Sequence, residues 1–515
     1  MSHAHGAVAC GHPDTRDAAA AMLRAGGNAF DAVAAGLWMA CVAEPVLASP
    51  GGGGFLLAQP AGESPRLYDF FAQTPRQRLP LDEVDFHPIH ADFGTTVQEF
   101  HIGVGAAATP GMVAGLFALQ QELGRMPRRE PLEPAIAAAR DGVTINDLQG
   151  YICSVVAPIL RATPEARALF ARADGVLAAG DQHAPRELGD CLDALAHEGP
   201  DLFYRGEIAA SIAEACTARG GHLRREDFTR YRVERREPLA LDYRGYRLLT
   251  NPPPAAGGLL VAFGLAVLAE SRSPADPAGA EAALRLGRAL AATGEARMRE
   301  GLDAGVDAAL ARHLLAPATV EHYRSWIAAH PPAYRGTTHI SVIDAQGNAA
   351  AATVSNGEGC GWMVPGTGMM LNNMLGEADL LPRGFASWST DQRLSSMMAP
   401  TLVEEAGGDW LLAIGSGGSN RIRSALLQVL AARLDAGLPL AAAVEQPRLH
   451  LEGERLEIEG GFGDEAVAAL RAAWREHCVW PDRNMFFGGA HAVESGPRGF
   501  AGAGDPRRGG VADII

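Results

Sequence analysis

The sequence predicts an α+β protein in which helices and short strands follow one another along most of the chain. Ala, Leu and Val recur at three- and four-residue spacing from about residue 14 to residue 43, which is typical of helices. At about residue 337 the period changes, and the residues alternate as in a strand. Further on, short apolar runs of strand length lie between segments with helical spacing. Together these three observations predict a fold that contains both element types.

The first part of the chain contains two glycine-rich breaks. Gly26-Gly27-Asn28 divides the first helical stretch in two, and Gly51–Gly54 precedes a predicted buried strand, Phe55–Ala58. Four consecutive glycines can take positive φ angles and let another chain segment approach closely. Such a run could also cradle a phosphate, but no Gly-Lys-Ser/Thr follows and the spacing is not G-x-G-x-x-G. A structural turn is therefore the interpretation.

The middle of the chain is predicted to be mainly helical. Short strands are expected within residues 60–103, and a rigid Pro-rich turn at Asn251–Gly258 precedes an apolar helix. Residues 270–335 are Ala-rich with Pro and Gly interruptions, which suits a mobile connector on the surface. Helical spacing marks the remaining stretches of this part: Thr109–Leu123, Pro134–Arg140 and much of 144–240.

A β-hairpin is predicted after residue 336. Its first strand starts at Thr337 and runs to Asp344, Ala345–Asn348 forms the turn, and Ala350–Ser355 is the second strand. The remainder mixes short strands at Leu402-Val403, Leu411–Ile414 and Leu456–Ile458 with helices at Arg423–Leu434 and Asp464–Glu476.

Length, charge and composition exclude several classes of protein. The 515 residues are enough for two to four domain-sized units. All 44 basic residues are arginine, so the chain has no lysine for a Schiff base, a P-loop or a Ser–Lys dyad. The formal net charge of −16 argues against nucleic acid or an anionic membrane surface as a partner.

No targeting segment or metal motif is recognised. The N-terminus has no basic region followed by an apolar one, and no stretch has the ~18 apolar residues of a membrane span. The seven cysteines are scattered without a C-x-x-C pair, which fits reduced thiols, and we expect a cytoplasmic protein. No H-E-x-x-H occurs, and His3, His5 and His12 lie near a terminus, so neither a metal nor a cofactor is expected.

Two motifs could carry chemistry. Gly415–Ser419 precedes a predicted helix and offers several backbone N–H groups, so it is either an ordinary loop or a site that binds an anion or oxyanion. Thr337 could be an ordinary strand residue. If cleavage after Gly336 freed it, however, Thr337 would carry both a hydroxyl and an α-amine, whose ordinary pKa of about 7.7–8.0 suits a general base. No G-x-S-x-G elbow occurs.

Many ordered motifs of the sequence match one enzyme family. These motifs are Gly26–Ala32, Glu44–Phe55, Thr109–Leu116, Phe203–Gly206, Tyr231, Pro252–Pro254, Thr337–Ser341, Leu371–Asn373, Leu394–Thr401, Gly415–Arg421, Gly488–His491 and Asp505–Gly510. By these motifs the chain resembles the γ-glutamyltranspeptidase family of N-terminal-nucleophile hydrolases over almost its whole length.

This resemblance implies a four-layer αββα sandwich and an inactive precursor that cuts itself between Gly336 and Thr337. The large segment, 1–336, and the small segment, 337–515, would form one intertwined domain and a heterodimer of the two cleavage products; higher oligomers are left open. Thr337 would be the nucleophile in self-cleavage and in turnover. It would form an acyl-enzyme from a small amide or peptide, such as a γ-glutamyl compound, and water or an amine would accept the acyl group.

The resemblance also assigns supporting roles. The family's paired oxyanion glycines match Gly418 and Ser419, and since the donor is the backbone, serine can serve there. The hydroxyl that supports the nucleophile falls on Ser355. Ser395 and Ser396 match the serine pair that binds the substrate carboxylate.

The sequence departs from the family where the substrate is bound. Phe71 stands where an arginine holds the γ-glutamyl α-carboxylate, and an aromatic ring cannot make that bidentate contact. Glu377, with Asp379 nearby, falls on the acidic position that holds the α-amino group. The family's asparagine falls on Gly357, or on Asn356 with a slip of one residue.

Two interpretations of these departures remain. In the first, the acyl pocket is altered and favours a less polar acyl group than γ-glutamyl, or one without a free α-carboxylate. In the second, the departures come from a slipped alignment, or another arginine replaces the lost one, and Arg393 beside Ser395 is a candidate.

The leading functional hypothesis is a self-processing amidase or acyltransferase. The alternative is an unprocessed, inactive homologue with a binding or regulatory role. A nucleotide-binding protein would need a βαβ unit with an acidic residue ~20 positions on, and none is found.

Overall fold

The computed structural model describes residues 4–92, 97–269, 274, 276–323, 336–381 and 383–515. Its strands, numbered along the chain, are β1 (Gly6–Cys10), β2 (Gly53–Gln59), β3 (Arg66–Phe70), β4 (His87–Asp92), β5 (Val97–Ile102), β6 (Val143–Thr144), β7 (Ala171–Arg172), β8 (Gly175–Val176), β9 (Gln182–His183), β10 (Glu234–Arg236), β11 (Leu239–Tyr243), β12 (Tyr246–Thr250), β13 (Thr338–Asp344), β14 (Ala349–Ser355), β15 (Met363–Val364), β16 (Met369–Met370), β17 (Thr401–Glu405), β18 (Leu411–Gly417), β19 (Leu449–Glu452), β20 (Arg455–Ile458), β21 (Glu476–Val479), β22 (Gly489–Gly496), β23 (Gly499–Ala503) and β24 (Val511–Ile514).

The α-helices of the described residues, numbered in the same way, are α1 (Pro13–Arg24), α2 (Ala29–Ala43), α3 (Met112–Leu123), α4 (Glu133–Asp141), α5 (Asp147–Val155), α6 (Ala157–Leu160), α7 (Pro164–Phe170), α8 (Arg186–Glu198), α9 (Asp201–Tyr204), α10 (Glu207–Arg219), α11 (Arg225–Arg230), α12 (Gly257–Ala269), α13 (Ala280–Arg299), α14 (Ala308–Leu314), α15 (Pro317–Tyr323), α16 (Arg421–Leu430), α17 (Leu440–Glu445) and α18 (Asp464–Ala473).

Two antiparallel sheets form the centre of the molecule. The first sheet has the strand order β10-β3-β2-β14-β13-β1-β24, and the second has the order β11-β12-β17-β18-β22-β23. The sheets pack face to face through β1, β13, β18 and β22. Helices α1 and α2 cover the outer face of the first sheet, and α12 and α16 lie on the outer side of the second. The layers therefore run helix, sheet, sheet, helix, which is the predicted αββα sandwich.

Strand β2 shows why these sheets are buried on both faces. Phe55 and Leu57 belong to the core between the two sheets. Leu56 and Ala58 point the other way, into the core beneath α2. Because successive side chains of a strand point to opposite faces, a continuous apolar run is what a sheet between two layers requires.

Both sheets contain strands from before and after residue 336. In the first sheet, β13 and β14 lie between β2 and β1. In the second, β12 from the first part of the chain pairs with β17 from the second. The two parts of the chain are therefore interleaved in both sheets.

Most elements lie where the sequence predicts them. The first helical stretch is two helices, α1 and α2, and Asn28 caps α2 by accepting hydrogen bonds from the amides of Phe30 and Asp31. The apolar helix after the Pro-rich turn is α12, which starts at Gly257. The hairpin is β13 and β14, but β13 begins at Thr338, so Thr337 lies just before the strand.

The connector predicted for residues 270–335 is wrong over the helix α13. This helix packs against β19 and α18, and Leu290 is 1% exposed. Alanine and leucine on one face of a helix bury well, so an Ala-rich composition does not by itself indicate a surface segment. Residues 270–273, 275 and 324–335 of the predicted connector lie outside the described residues.

The glycine run at 51–54 has a structural role, as predicted. Of the two expected reasons, positive φ angles and close approach of another segment, the second applies. Its members do not belong to the glycines with positive φ. A side chain at Gly52 would instead collide with the carbonyl of Ser355, and one at Gly54 with that of Thr353. The run therefore lets the backbone pack closely against the end of β14.

A helix that crosses a membrane needs about 20 mostly apolar residues. Within the described ranges, no helix is both long enough and apolar enough to do so.

Candidate active site

One pocket brings together distant parts of the sequence around Thr337. Its empty space is about 310 Å³. It is lined by Phe71, Thr337, Ser355, Met374, Glu377, Leu380, Ser396, Met397, Met398, Ser419 and Ile422. Six of these are residues to which the sequence assigns a role in catalysis or substrate binding: Phe71, Thr337, Ser355, Glu377, Ser396 and Ser419.

The peptide group between Gly336 and Thr337 is held from both sides. The Ser355 hydroxyl donates a hydrogen bond of 2.7 Å to the Gly336 carbonyl oxygen. The Gly336 amide donates one of 2.7 Å to Glu358 Oε1. Thr337 itself is 5% exposed. A hydrogen bond to a carbonyl oxygen stabilises negative charge that develops there, so this geometry suits attack on the Gly336 carbonyl.

Ser355 owes its position to the register of the first sheet. It is the last residue of β14 and pairs with Gly53 of β2. Its hydroxyl oxygen also accepts a hydrogen bond of 2.9 Å from the Gly357 amide. The hydroxyl is therefore oriented by one partner while it donates to the other.

The loop between β18 and α16 lies at the pocket, and Ser419 of this loop lines it. Gly418 has a φ of 126° and Ser419 a φ of 53°. Among the described residues, the two amides find no hydrogen-bond acceptor. A side chain at Gly417 would collide with the Thr337 carbonyl, so this loop lies directly against the residue. Successive amides in such a turn can bind an oxyanion.

Phe71 forms an apolar wall of the pocket and is fixed by its own backbone. Its amide donates to Asp69 Oδ1 at 3.1 Å, and its carbonyl accepts a hydrogen bond of 2.8 Å from the Tyr231 hydroxyl. Its ring lies 5.3 Å from that of Phe55, and the side chain is 1% exposed. The position expected to hold a carboxylate therefore presents hydrocarbon.

The Arg393 side chain points away from this pocket. Its guanidinium donates to the Phe71 carbonyl at 2.5 Å and to the Tyr231 hydroxyl at 2.7 Å. Its Nε lies 3.2 Å from Asp69 Oδ1, and its centre lies 4.7 Å from the Tyr231 ring centroid. The interpretation that Arg393 replaces the missing arginine is not supported, because its guanidinium binds Asp69, Tyr231 and the Phe71 carbonyl and does not line the pocket.

Glu377 contributes a buried carboxyl group to the pocket. It follows the 3₁₀ turn Met374–Gly376 and is 1% exposed. Its Oε1 lies so close to Gly357 that a side chain there would collide with it. Gly357 has a φ of 64°, which glycine adopts readily, so the close approach depends on glycine at this position.

The two serines at 395 and 396 have different surroundings. Ser396 lines the pocket, and its hydroxyl accepts a hydrogen bond of 3.1 Å from the Met398 amide. Its carbonyl accepts hydrogen bonds from Ala256 and Gly257 at the start of α12. Ser395 is half-buried and does not belong to the lining residues.

Asn356 is buried next to the pocket without lining it. Its side-chain amide lies 3.5 Å from the Met370 carbonyl. Gly357 does not line the pocket either, but it contacts two residues that do, Ser355 and Glu377. The choice between the two alignments stays a prediction.

The sequence analysis does not identify Glu358 or Asn373 as site residues, nor the apolar residues that line the pocket besides Phe71. Glu358 holds Gly336, and its own amide donates to Asn373 Oδ1 at 2.9 Å. No motif marks Glu358, because its contact depends on how β14 ends against residue 336. The Asn372-Asn373 pair was noted as a family motif, and it is the signal that could have located this contact.

A second buried polar cluster lies under the strand that follows Thr337. His339 bonds Thr353 and Ser341 at 2.8 Å each, and burial holds its pKa well below the ordinary value. Glu44 accepts a hydrogen bond of 2.8 Å from Thr15, and burial raises its pKa. His339 is therefore neutral and structural. In the described part of the chain, no group of three or more His, Cys, Asp or Glu residues could hold a metal ion.

Comparisons with known proteins agree over nearly the whole chain. A family model described as gamma-glutamyltranspeptidase matches residues 15–515. The acylase ACY 1 proenzyme of Pseudomonas sp. (strain V22) is 30% identical over 508 residues, which cover 96% of this chain and 90% of that protein. The glutathione hydrolase proenzyme of Escherichia coli (strain K12) is 29% identical over 529 residues, with 94% and 87% covered. The crystal structure of a cephalosporin acylase from Bacillus halodurans shares the fold, with a TM-score of 0.85 at 24% identity and coverage of 100% and 96%.

Proposed function

The chain belongs to the γ-glutamyltranspeptidase family, and we propose that it is a self-cleaving amide hydrolase or acyltransferase whose nucleophile is Thr337. The observation that carries this proposal is the pocket in which Thr337 lies beside Ser355, Glu377, Ser396 and Ser419. The other four residues come from other parts of the sequence, and Ser355 is the nearest of them to Thr337.

Self-cleavage begins when the Thr337 hydroxyl attacks the Gly336 carbonyl carbon. The carbonyl oxygen becomes an oxyanion, and the Ser355 hydroxyl, 2.7 Å from that oxygen, stabilises it. The C–N bond then breaks, the nitrogen takes up a proton, and an ester joins Gly336 to the Thr337 oxygen. Water hydrolyses this ester, which leaves a carboxylate on Gly336 and a free α-amine on Thr337.

Turnover uses the amine that the cleavage creates. The Thr337 amine removes the proton from the Thr337 hydroxyl as it attacks a substrate amide, and it passes that proton to the departing amine. The amides of Gly418 and Ser419 donate to the oxyanion. Water or a second amine then attacks the acyl-enzyme, which releases a carboxylic acid or a new amide.

The acyl pocket differs from one that binds a γ-glutamyl group. Phe71 offers hydrocarbon where a carboxylate would need a cation, and the Arg393 guanidinium is engaged by Asp69 and Tyr231. A carboxylate placed against an aromatic ring loses its hydration without gaining a partner. This supports an acyl group that is less polar than γ-glutamyl or that has no free α-carboxylate.

Self-cleavage is tested by the size of the purified protein. The wild-type chain is expected to give two bands, corresponding to 1–336 and 337–515, and a Thr337→Ala variant a single band. A Thr337→Ser variant, which keeps a hydroxyl, is the matched control and should still be cut. A single uncut band from the wild type would instead favour an inactive homologue with a binding or regulatory role.

A further inference from the structure

A buried ion pair lies behind the Phe71 wall of the pocket. Arg393 Nε is 3.2 Å from Asp69 Oδ1, and the two side chains are 5% and 0% exposed. The other nitrogens of the guanidinium donate to the Phe71 carbonyl at 2.5 Å, to the Tyr231 hydroxyl at 2.7 Å and to the Arg232 carbonyl at 2.6 Å. The Phe71 backbone therefore cannot move away from Arg393 without leaving a buried cation short of a partner, which is costly.

The same arginine joins two stretches of chain that both reach the pocket. Arg393 lies on the stretch that leads to Ser396, whereas the carbonyl that it binds belongs to Phe71. Phe71 and Ser396 both line the pocket. Next to them the Leu394 amide donates to the Ala72 carbonyl at 3.1 Å, so the two stretches run side by side. Arg393 thus fixes one wall of the pocket relative to another that comes from a distant part of the sequence.

Tyr231 supports the Phe71 carbonyl from a second direction. Its hydroxyl donates to this carbonyl at 2.8 Å and accepts a hydrogen bond of 2.7 Å from Arg393. The carbonyl oxygen then has two donors, one for each of its lone pairs. Tyr231 is 5% exposed, and a side chain at Gly111 would collide with its hydroxyl, so the ring has little room to turn.

We propose that Arg393 and Tyr231 are positioning residues that set how bulky an acyl group the pocket accepts. Neither of them lines the pocket. They hold the backbone of Phe71, whose ring is the wall against which the acyl group packs. This proposal rests on the proposed function, because it concerns the acyl specificity of the same pocket.

Two acyl anilides that differ in bulk test the proposal. Butyryl anilide has a narrow chain and phenylacetyl anilide carries a ring, and neither acyl group is charged. A wall that is held by fewer bonds yields to a larger group, so the ratio of kcat/KM for phenylacetyl to kcat/KM for butyryl should rise. We expect a rise of about 10-fold in Arg393→Met and of about 3-fold in Tyr231→Phe, which loses one of the two hydrogen bonds to the carbonyl.

Arg236 provides a matched control, because it binds the same carboxylate. Its Nε donates to Asp69 Oδ2 at 2.8 Å, and in the described part of the chain neither Phe71 nor Tyr231 is among its hydrogen-bond partners. Arg236→Met removes a cation from Asp69, as Arg393→Met does, so the melting temperature of both variants should fall. The acyl preference of Arg236→Met should stay that of the wild type, whereas a general loss of packing would change both variants alike.

Self-cleavage gives a second readout, which the Phe71 wall does not control. Of the described residues, Arg393 binds none of Gly336, Thr337 and Ser355. Arg393→Met should therefore be cut at the wild-type rate, and its two-chain product shows that the variant has folded. If Arg393→Met gives no such product, the ratio measured for Tyr231→Phe decides.

The outcomes distinguish this inference from the proposed function. An unchanged ratio in Arg393→Met, or an equal rise in Arg236→Met, would overturn the inference and leave the proposed nucleophile unaffected. A self-cleaved wild type that turns over neither anilide would overturn it as well. An uncut, inactive wild-type chain would instead contradict the proposed function.

Discussion

At the scale of single residues, Ser355 has two hydrogen-bond partners that come from different sides of the candidate site. Its hydroxyl donates to the Gly336 carbonyl oxygen at 2.7 Å and accepts from the Gly357 amide at 2.9 Å. Gly357 in turn lies against Glu377. One hydroxyl therefore connects the Gly336–Thr337 peptide bond, which is the proposed cleavage site, with the wall of the pocket that Glu377 forms.

Replacing Ser355 by alanine should slow self-cleavage. The variant loses one hydrogen bond to the developing oxyanion, and we expect a rate about 10- to 100-fold lower, or roughly 1.5–3 kcal/mol. A time course of cleavage during cell-free synthesis, followed by gel electrophoresis, measures the effect. Ser355→Thr keeps the hydroxyl and should be cut at close to the wild-type rate. Equal rates for Ser355→Ala and wild type would exclude this role.

The sequence predicts the chemical type of the site residues better than their orientation. The resemblance assigns roles to Thr337, Ser355 and Ser419, and the structure places all three in one pocket. The direction of the Arg393 side chain could not be predicted, since it depends on Asp69 and Tyr231, which come from other parts of the chain. Glu358 was missed for the same reason, because its partner Gly336 lies across a strand end.

At the scale of elements, β13 and β22 bury histidines between the layers. His491 on β22 accepts a hydrogen bond of 3.2 Å from the Asp505 amide. Burial lowers its pKa to about 4; Asp505 opposes this shift, and Arg508 and Arg448 add to it. His339 on β13 is lowered by burial as well. Both imidazoles are therefore neutral in the folded protein near pH 7.

Acidification should destabilise the protein through these histidines. The unfolded chain binds a proton at His491 near its ordinary pKa of 6.5, whereas the folded chain does so near 4. Between these values the unfolded state holds more protons, so stability falls as the pH falls. At pH 5 the loss from His491 is about 2 kcal/mol relative to pH 7.

Melting temperatures between pH 7.5 and 5 measure this effect. A His491→Asn variant should be less stable at pH 7.5 but lose less on acidification than the wild type. His197, which is 67% exposed on α8, provides the control, and His197→Asn should keep the wild-type pH dependence. An unchanged pH dependence in His491→Asn would contradict the assignment.

The sequence predicts the type of an element correctly where a single local pattern determines it. The hairpin β13–β14 has a clear alternation, and Asp344 fixes its turn by accepting hydrogen bonds of 2.9 Å each from the amides of Gln346 and Asn348. The sequence predicts a surface connector where α13 is a packed helix, because alanine suits both a surface and a buried face. The burial of α13 depends on β19 and α18, which lie more than a hundred residues further along the chain.

At the scale of the whole molecule, the interleaved sheets would hold the two products of the proposed cleavage together. Strands β13 and β14 lie between β1 and β2, so segment 337–515 cannot leave without breaking the first sheet. The pocket likewise combines Phe71 from one segment with Thr337 from the other. The proposed cleavage would therefore change the chemistry at one residue while the surrounding packing is kept.

The absence of lysine makes that single change directly measurable. The uncut chain has one primary amine, at its N-terminus, and cleavage after Gly336 creates a second at Thr337. A small acylating reagent removes the basicity of an amine, and the Thr337 amine is the proposed base. We expect mass spectrometry to find one tag on segment 337–515, at Thr337, together with loss of amide hydrolysis. The Thr337→Ala variant should carry a tag at its N-terminus alone, and full activity after confirmed labelling of Thr337 would refute the role of its amine.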